Sequence, residues 1–189
     1  MSRDVRGACA LYYSYQVRGA DGKIKVPFRR RTAHSFLTAY IAWLFLRMVG
    51  ATTVSRTDTS GSSQNLHRNA LLDSDAASGT STNGLVVGTG TDTVVITDSK
   101  LQTQIAHGTS AGQLSYGASV VNLPSSDSTS TSLILTRPFS NNSGGSITVR
   151  EIGIYSIATG TLCIVRDTVT IALSNGDVLT LNYILKTTS

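Results

Sequence analysis

The sequence predicts a mainly β protein: an antiparallel β-sandwich or jelly-roll-like domain with an N-terminal hairpin, one amphipathic helix and an extended arm. Short apolar runs follow one another between Asn/Gly turns from residue 84 onwards, a spacing typical of sandwiches and small barrels. Ser, Thr and Gly are abundant and only 14% of the 189 residues are charged, which favours strands and turns over exposed helices. The 40% of hydrophobic residues can fill a core.

A β-hairpin is the first predicted element. Its strands, LYYSYQV at 11–17 and KIKVPF at 23–28, flank RGADG, whose Asp-Gly pair suits a tight turn. Residues 1–56 carry ten Lys or Arg against two Asp, a net charge of +8, whereas residues 57–189 carry six against nine acids, a net charge of −3. Two interpretations stay open for this basic segment: a solvated hairpin, or a contact with nucleic acid, anionic lipid or an acidic protein surface.

A helix is predicted next, over residues 32–49, with Gly50 at its C-terminal cap. Apolar side chains recur there at three- and four-residue spacing, at Leu37, Tyr40, Ile41, Leu44 and Met48. The stretch is shorter than the roughly 20 apolar residues that span a bilayer, and it starts too far into the chain for a secretory signal. We therefore expect the helix to dock on its own domain or on a neighbouring subunit, and we expect no membrane partner.

The chain divides into two parts in this interpretation. Residues 1–83 form the hairpin, the helix and an arm that serve attachment and oligomerisation, and residues 84–189 form the β-sandwich. The polar Ser/Thr/Gly-rich stretch after the helix is predicted to be an extended arm or loop, with a short strand near 52–57.

The sandwich begins with LVVG, a short buried strand that ends in a glycine turn, at which Gly88 and Gly90 are turn positions. After it, TVVITDSKLQTQIAHG is predicted as a strand, a turn and one or two helical turns around Leu101 and Ile105. QLSYGASVVNL at 113–123 is another strand candidate, and SSDSTSTS after Pro124 is a solvated loop.

The last strands carry the clearest alternation. In SITVREIGIYSI both faces are partly apolar, which predicts a central strand. In DVLTLNYILK the residues Leu179, Leu181, Tyr183 and Leu185 share one face, which predicts a core-facing side and full integration in the sheet.

Glu151 is the single glutamate of the chain and lies in the middle of a predicted strand. A buried carboxylate can act as a general acid or base, but buried charges are generally paired. We interpret Glu151 as a structural ion-pairing residue, with Arg137, Arg150 and Arg166 as its natural partners.

No plausible reaction centre is visible. His34, His67 and His107 lie in three different settings, and no Ser/His/Asp order, HExxH or closely spaced acid pair occurs. Cys9 and Cys163 have neither metal-site nor disulfide-framework spacing. We expect a non-enzymatic protein with no catalytic residues, no cofactor and no metal.

The runs GLVVGTG, SKLQTQIAHGTSAGQLSYGASVV, LTRPFSNNSGGSITVREIGIYS, TLCIVRD and VLTLNYILK occur in this order. Together they resemble a group of small virion structural proteins of tailed bacteriophages. The EIGIY element is similar to a strand of tail-fibre and baseplate-associated proteins, and the resemblance covers about residues 84–189. It implies a non-enzymatic β-domain that assembles in many copies on a virus particle made in the host cytoplasm.

We therefore predict a structural component of a tailed-phage virion, in the tail, the baseplate or the fibre attachment. The first alternative is a head decoration or capsid vertex protein. The second alternative is a host-surface carbohydrate-binding β-domain, but aromatic residues, on which sugars commonly stack, are scarce in this sequence. Expected partners are further copies of the chain and other virion proteins. The arginine cluster at residues 29–31 could contact nucleic-acid phosphates. Because no known nucleic-acid-binding motif surrounds it, a nucleic-acid partner is not expected. The predicted contact residues are Arg29, Arg30, Arg31, Phe36, Tyr40, Trp43, Leu44 and Met48.

Overall fold

A computed structural model describes residues 9–33, 36–49 and 53–188. The protein is mainly β, with 51% of its residues in strands, 7% in helix and antiparallel sheets, which confirms the predicted sandwich-like fold class. The elements along the chain are β1 (Cys9–Arg18), β2 (Ile24–Val26), β3 (Arg31–Thr32), α1 (Thr38–Val49), β4 (Thr53–Thr57), β5 (Ser63–His67), β6 (Gly84–Gly88), β7 (Ser115–Tyr116), β8 (Val120–Val121), β9 (Ser125–Ser126), β10 (Ser130–Ser140), β11 (Ile147–Ile157), β12 (Thr161–Leu173) and β13 (Val178–Thr188).

The larger sheet joins the two ends of the chain. Its strand order is β2-β1-β13-β10-β7, with β3 on β1 and with β8 and β9 on β10. The predicted hairpin is present, and its first strand pairs with β13 from Cys9 opposite Thr187 to Arg18 opposite Val178. The predicted division after residue 83 therefore does not separate the strands, because the hairpin and the C-terminal strand share one sheet.

The smaller sheet has the order β12-β11-β6, so β11 is the central strand that the alternation predicted. Its hairpin, β11 and β12, is flanked in sequence by β10 and β13, which pair with each other in the larger sheet. Between β10 and β13 the chain therefore crosses twice between the sheets. Leu179, Leu181 and Tyr183 on β13 are buried in the shared core, as the sequence predicted.

The segment between β6 and β7 differs from the prediction. It contains no helical turn around Leu101 and Ile105, although both side chains are buried. The amides of Gln102 and Thr103 donate to the carboxylate of Glu151, and the amide of Ile105 donates to a carbonyl of β6. These amides are not available for the bonds that an α-helix requires, so the segment is irregular.

Three other segments differ from the prediction: one is less regular and two are more ordered. The strand expected at 113–123 is split into β7 and β8, because Ser119 exchanges hydrogen bonds with Ala76 instead of with β10. The predicted solvated loop after Pro124 contains β9, which pairs with the start of β10. The predicted arm forms the β4–β5 hairpin and then packs against the sandwich through the bridge between Asp73 and Ile157.

Helix α1 begins at Thr38, later than predicted, because the residues before it already have partners. Thr32 belongs to β3, Phe36 bridges Val165, and the amide of Leu37 donates to a carbonyl of β12. The predicted cap at Gly50, the predicted strand residue at position 52 and His34 lie outside the described residues.

Candidate partner-contact surface

Helix α1 packs on its own domain through one narrow face. Ala39, Ala42 and Leu46 are buried, and the helix contacts β12 and β4. Trp43 lies beside this face, and its indole Nε1 donates to the carbonyl of Ala70 at 2.9 Å. Small alanine side chains allow the helix to approach the sheet closely, so this face is fully used inside the subunit.

The opposite face of α1 is also apolar, and it points into solvent. We call it the outer face; it consists of Ile41 (52% exposed), Leu44 (38%), Phe45 (48%), Met48 (76%) and Val49 (56%). Their spacing makes one continuous stripe. A helix that is apolar on all sides is normally buried, and a contiguous exposed apolar patch marks an interaction site. The outer face is therefore the strongest candidate for contact with another chain.

Sequence reasoning identified part of this face. Leu44 and Met48 are predicted contacts and are exposed. The predicted contacts do not include Ile41, Phe45 and Val49, although these recur at four-residue spacing. The sequence shows the apolar periodicity of the helix. Because both faces of the helix are apolar, the sequence does not show which face packs on the protein's own domain.

The three predicted aromatic contacts face the subunit's own interior. Phe36 and Tyr40 are stacked with ring centroids 3.8 Å apart, and the ring of Trp43 lies 5.9 Å from that of Tyr40. All three line an apolar cavity of about 230 Å³ between the sheets, together with Leu135 from the larger sheet and Ile164 from the smaller one. Their half-buried rings pack on the core, so they support the helix from within.

The predicted basic contacts are at the surface. Arg29, Arg30 and Arg31 are exposed, and the guanidinium carbon of Arg30 lies 4.5 Å from the ring centroid of Tyr12. That of Arg31 lies 5.3 Å from the ring centroid of Tyr15. No carboxylate of the described residues lies within 4.0 Å of these three side chains. The guanidinium groups of Arg30 and Arg31 therefore lie over aromatic rings, and all three exposed charges can be reached by an anionic partner.

Glu151 is completely buried in the middle of β11. Its Oε1 accepts the amides of Gly90 at 3.0 Å and Thr103 at 2.7 Å. Its Oε2 accepts the amide of Gln102 at 2.9 Å and Nε of Arg166 at 3.0 Å. A carboxylate has about four acceptor sites, and all of them are occupied. Glu151 therefore ties the segment after β6 to the smaller sheet and has no free lone pair for proton transfer.

Gly88 and Gly90 are predicted as turn positions, but the reason for glycine there is that both backbones pass very close to the Glu151 carboxylate. A Cβ added at Gly88 or at Gly90 would lie 2.5 Å from Oε1 of Glu151. Any larger residue at either position would push the carboxylate away from its donors.

Of the three predicted partners, the structure brings only Arg166 to Glu151. Arg166 is 3% exposed at its side chain and also donates Nη1 to Oδ2 of Asp98 at 2.7 Å. Arg150 is adjacent in sequence, but its side chain points to the opposite side of β11 and is exposed. Arg137 lies on the larger sheet and is not paired with Glu151 either.

Arg137 is fully buried, and it is held by main-chain carbonyls. Its Nε donates to Gly117 at 2.8 Å, and its Nη1 donates to Asn83 and Leu85 at 2.9 Å each. The guanidinium carbon lies 4.8 Å from the ring centroid of Tyr116. Burial lowers the pKa of Arg137 to about 10, so the group stays charged at neutral pH. Nothing in the local sequence indicates this cage, because its carbonyls come from distant segments.

The two described histidines have different surroundings. His67 is exposed at the end of β5, and Nδ1 of His107 accepts the amide of Tyr116 at 3.1 Å. Within the described ranges, no three His, Cys, Asp or Glu side chains are arranged to hold a metal ion. Over the same ranges, no helix has the length and apolarity needed to cross a bilayer.

Comparison with known proteins identifies no relative: the chain matches no protein-family model, no curated protein and no solved structure. The resemblance to tailed-phage virion proteins therefore stays a prediction that rests on the motifs of residues 84–189.

Proposed function

We propose that this protein is a structural subunit of a tailed-phage virion, in the tail, the baseplate or the fibre attachment, and that it assembles in multiple copies. The outer face of α1 carries the proposal. It presents five large apolar side chains from a helix whose other side is already packed on the domain. A contiguous exposed apolar surface of this kind marks a site of contact with another chain.

The size of the outer face indicates how the copies associate. Covering the exposed half of each of its five side chains is worth on the order of 1 kcal/mol apiece, or about 5 kcal/mol in total. Association costs about 4–15 kcal/mol in lost translational and rotational freedom. One pair of helices that covers both outer faces would gain about 10 kcal/mol, which lies within the range of this cost, so firm association needs further contacts, as a ring or a particle surface provides.

The test is to place a charge on the outer face and follow assembly. Met48→Asp alters the most exposed of the five residues, and Leu44→Asp alters one near the centre of the helix. Ile24→Asp is the matched control, because Ile24 is also about half exposed but lies in β2, paired at the far end of β1. Circular dichroism establishes that each variant is folded.

Sedimentation at rising protein concentration and incorporation into phage particles are the two measurements. We expect Met48→Asp and Leu44→Asp to lose self-association and incorporation, and Ile24→Asp to retain both. Normal incorporation of both helix variants would refute the proposed contact. Absence of the protein from purified particles, with self-association intact, would refute the virion assignment while leaving the contact in place.

A further inference from the structure

We infer that a polar cleft between the two sheets binds a tetrahedral oxyanion, that is, phosphate or a phosphoryl group. This inference is independent of the proposed function. The cleft has a volume of about 420 Å³. Its polar lining residues are Tyr13, Arg31, Thr91, Arg150, Thr168 and Thr170.

The two arginines come from different sheets. Arg31 lies on β3, directly opposite Tyr13 of β1 in the larger sheet. Arg150 lies on β11 in the smaller sheet, at the point where the register with β12 shifts between Val149 and Glu151. The extra residue of this irregularity is on β12, where two residues lie opposite Arg150. Side chains alternate along β11, so Arg150 and the buried Glu151 point to opposite sides of the strand.

The lining residues of the cleft carry positive charge, and the carboxylate with an electrostatic effect on its Tyr13 is that of the buried Asp167. Its lining contains two guanidinium groups and no acidic residue. Among the described residues, no carboxylate lies within 4.0 Å of Arg31 or Arg150. Asp167 is buried on β12 and accepts the hydroxyl of Tyr183 at 2.6 Å, so it does not line the cleft. An anion entering the cleft would therefore meet attraction from both sheets.

The number and type of donors favour a tetrahedral anion over a planar one. The lining offers two guanidinium groups and the hydroxyls of three threonines and of Tyr13, all of which can donate hydrogen bonds. A carboxylate offers two oxygens in one plane, whereas phosphate offers four oxygens that can reach both sheets at once. Guanidinium groups also match phosphate oxygens in a bidentate manner.

The experiment titrates the ¹⁵N-labelled protein with sodium phosphate, keeping ionic strength constant with sodium chloride, and follows the arginine Nε–H signals by NMR. We expect saturable shifts of the signals of Arg31 and Arg150. Arg31→Gln and Arg150→Gln should each weaken phosphate binding by about tenfold or more, because each removes one charged bidentate donor. Arg18→Gln is the control: Arg18 is exposed on β1, donates to the carbonyl of Gly22 and does not line the cleft.

Arg150→Lys separates charge from geometry, because lysine keeps the charge but loses the planar fork; we expect affinity between those of wild type and Arg150→Gln. Linear, unsaturated shifts with phosphate would overturn the inference. So would an equal loss of affinity in Arg18→Gln, which would show general charge screening. Binding of a short single-stranded DNA without binding of inorganic phosphate would also overturn it, in favour of an extended nucleic-acid surface.

Discussion

Replacing Glu151 by glutamine tests whether one buried carboxylate organises the smaller sheet. The substitution preserves shape and removes one acceptor oxygen together with the charge. Whichever way the amide is oriented, its NH₂ group faces two donors: either the amides of Gly90 and Thr103, or the amide of Gln102 and Nε of Arg166. Two hydrogen bonds are therefore replaced by donor–donor contacts in a site with no access to water.

The magnitude follows from these contacts. Hydrogen bonds to a charged group contribute about 1.5–3 kcal/mol each, so the loss of two amounts to roughly 3–6 kcal/mol. Arg166 keeps its second carboxylate, Asp98 at 2.7 Å, which offsets part of the loss. We expect the free energy of unfolding to fall by about 3–5 kcal/mol, the range found when one member of a buried ion pair is removed. Total stabilities of about 5–15 kcal/mol leave the variant folded but much weaker.

Urea unfolding measures this change, followed by circular dichroism and by the fluorescence of Trp43, the single tryptophan. Arg150→Gln is the control on the neighbouring, exposed position, for which we expect a change within about 0.5 kcal/mol. Native-state hydrogen exchange should also show the amides of Gln102 and Thr103 losing protection in Glu151→Gln. A loss of stability no larger than that of Arg150→Gln would refute the reasoning.

Three further predictions follow from the buried and hydrogen-bonded groups. Arg137→Lys should lower the free energy of unfolding by about 3 kcal/mol or more in the same urea assay. One ammonium group cannot reach all the carbonyls that bind Arg137, and each carbonyl left unpaired costs about 1–3 kcal/mol. A change below about 1 kcal/mol would contradict the role of these hydrogen bonds. Hydrogen bonds from the side chains of Ser60 and Gln64 lower the pKa of Asp58 to about 2, below its ordinary 3.8, so its stabilisation is present above about pH 4 and lost as the pH falls towards 2. The stability difference between wild type and Asp58→Asn should therefore shrink over that interval, and a difference that does not vary with pH counts against it. A thiol reagent should modify exposed Cys9 in the native protein but buried Cys163, whose pKa is raised by burial, only after unfolding; equally fast modification of both thiols would be the contrary result.

Local patterns predicted the regular elements well. The hairpin, the central position of β11 and the core face of β13 follow from alternation and turn residues, which act over a few residues. The predicted helical turns around Leu101 and Ile105 are wrong because the apolar spacing there serves burial in an irregular segment. Its amides bond to Glu151 and to β6, and these partners are distant in sequence.

The sequence likewise predicted the two candidate surfaces only in part. An apolar helix was evident from composition, but the choice of Ala39, Ala42 and Leu46 as its docked face depends on the shape of the β12 surface beneath it. Likewise Arg31 and Arg150 look unrelated along the chain, and only the packing of the two sheets brings them to one cleft.

By itself, the sequence determined a hydroxyl-rich antiparallel β protein with one apolar helix and a basic N-terminal region, because these properties depend on composition and short-range periodicity. Tertiary structure alone decided that the N-terminal hairpin and β13 share a sheet, that Arg137 is held by carbonyls, and which helix face is left uncovered. These features depend on contacts between residues that are far apart in the sequence. Local sequence patterns do not specify which of those contacts form.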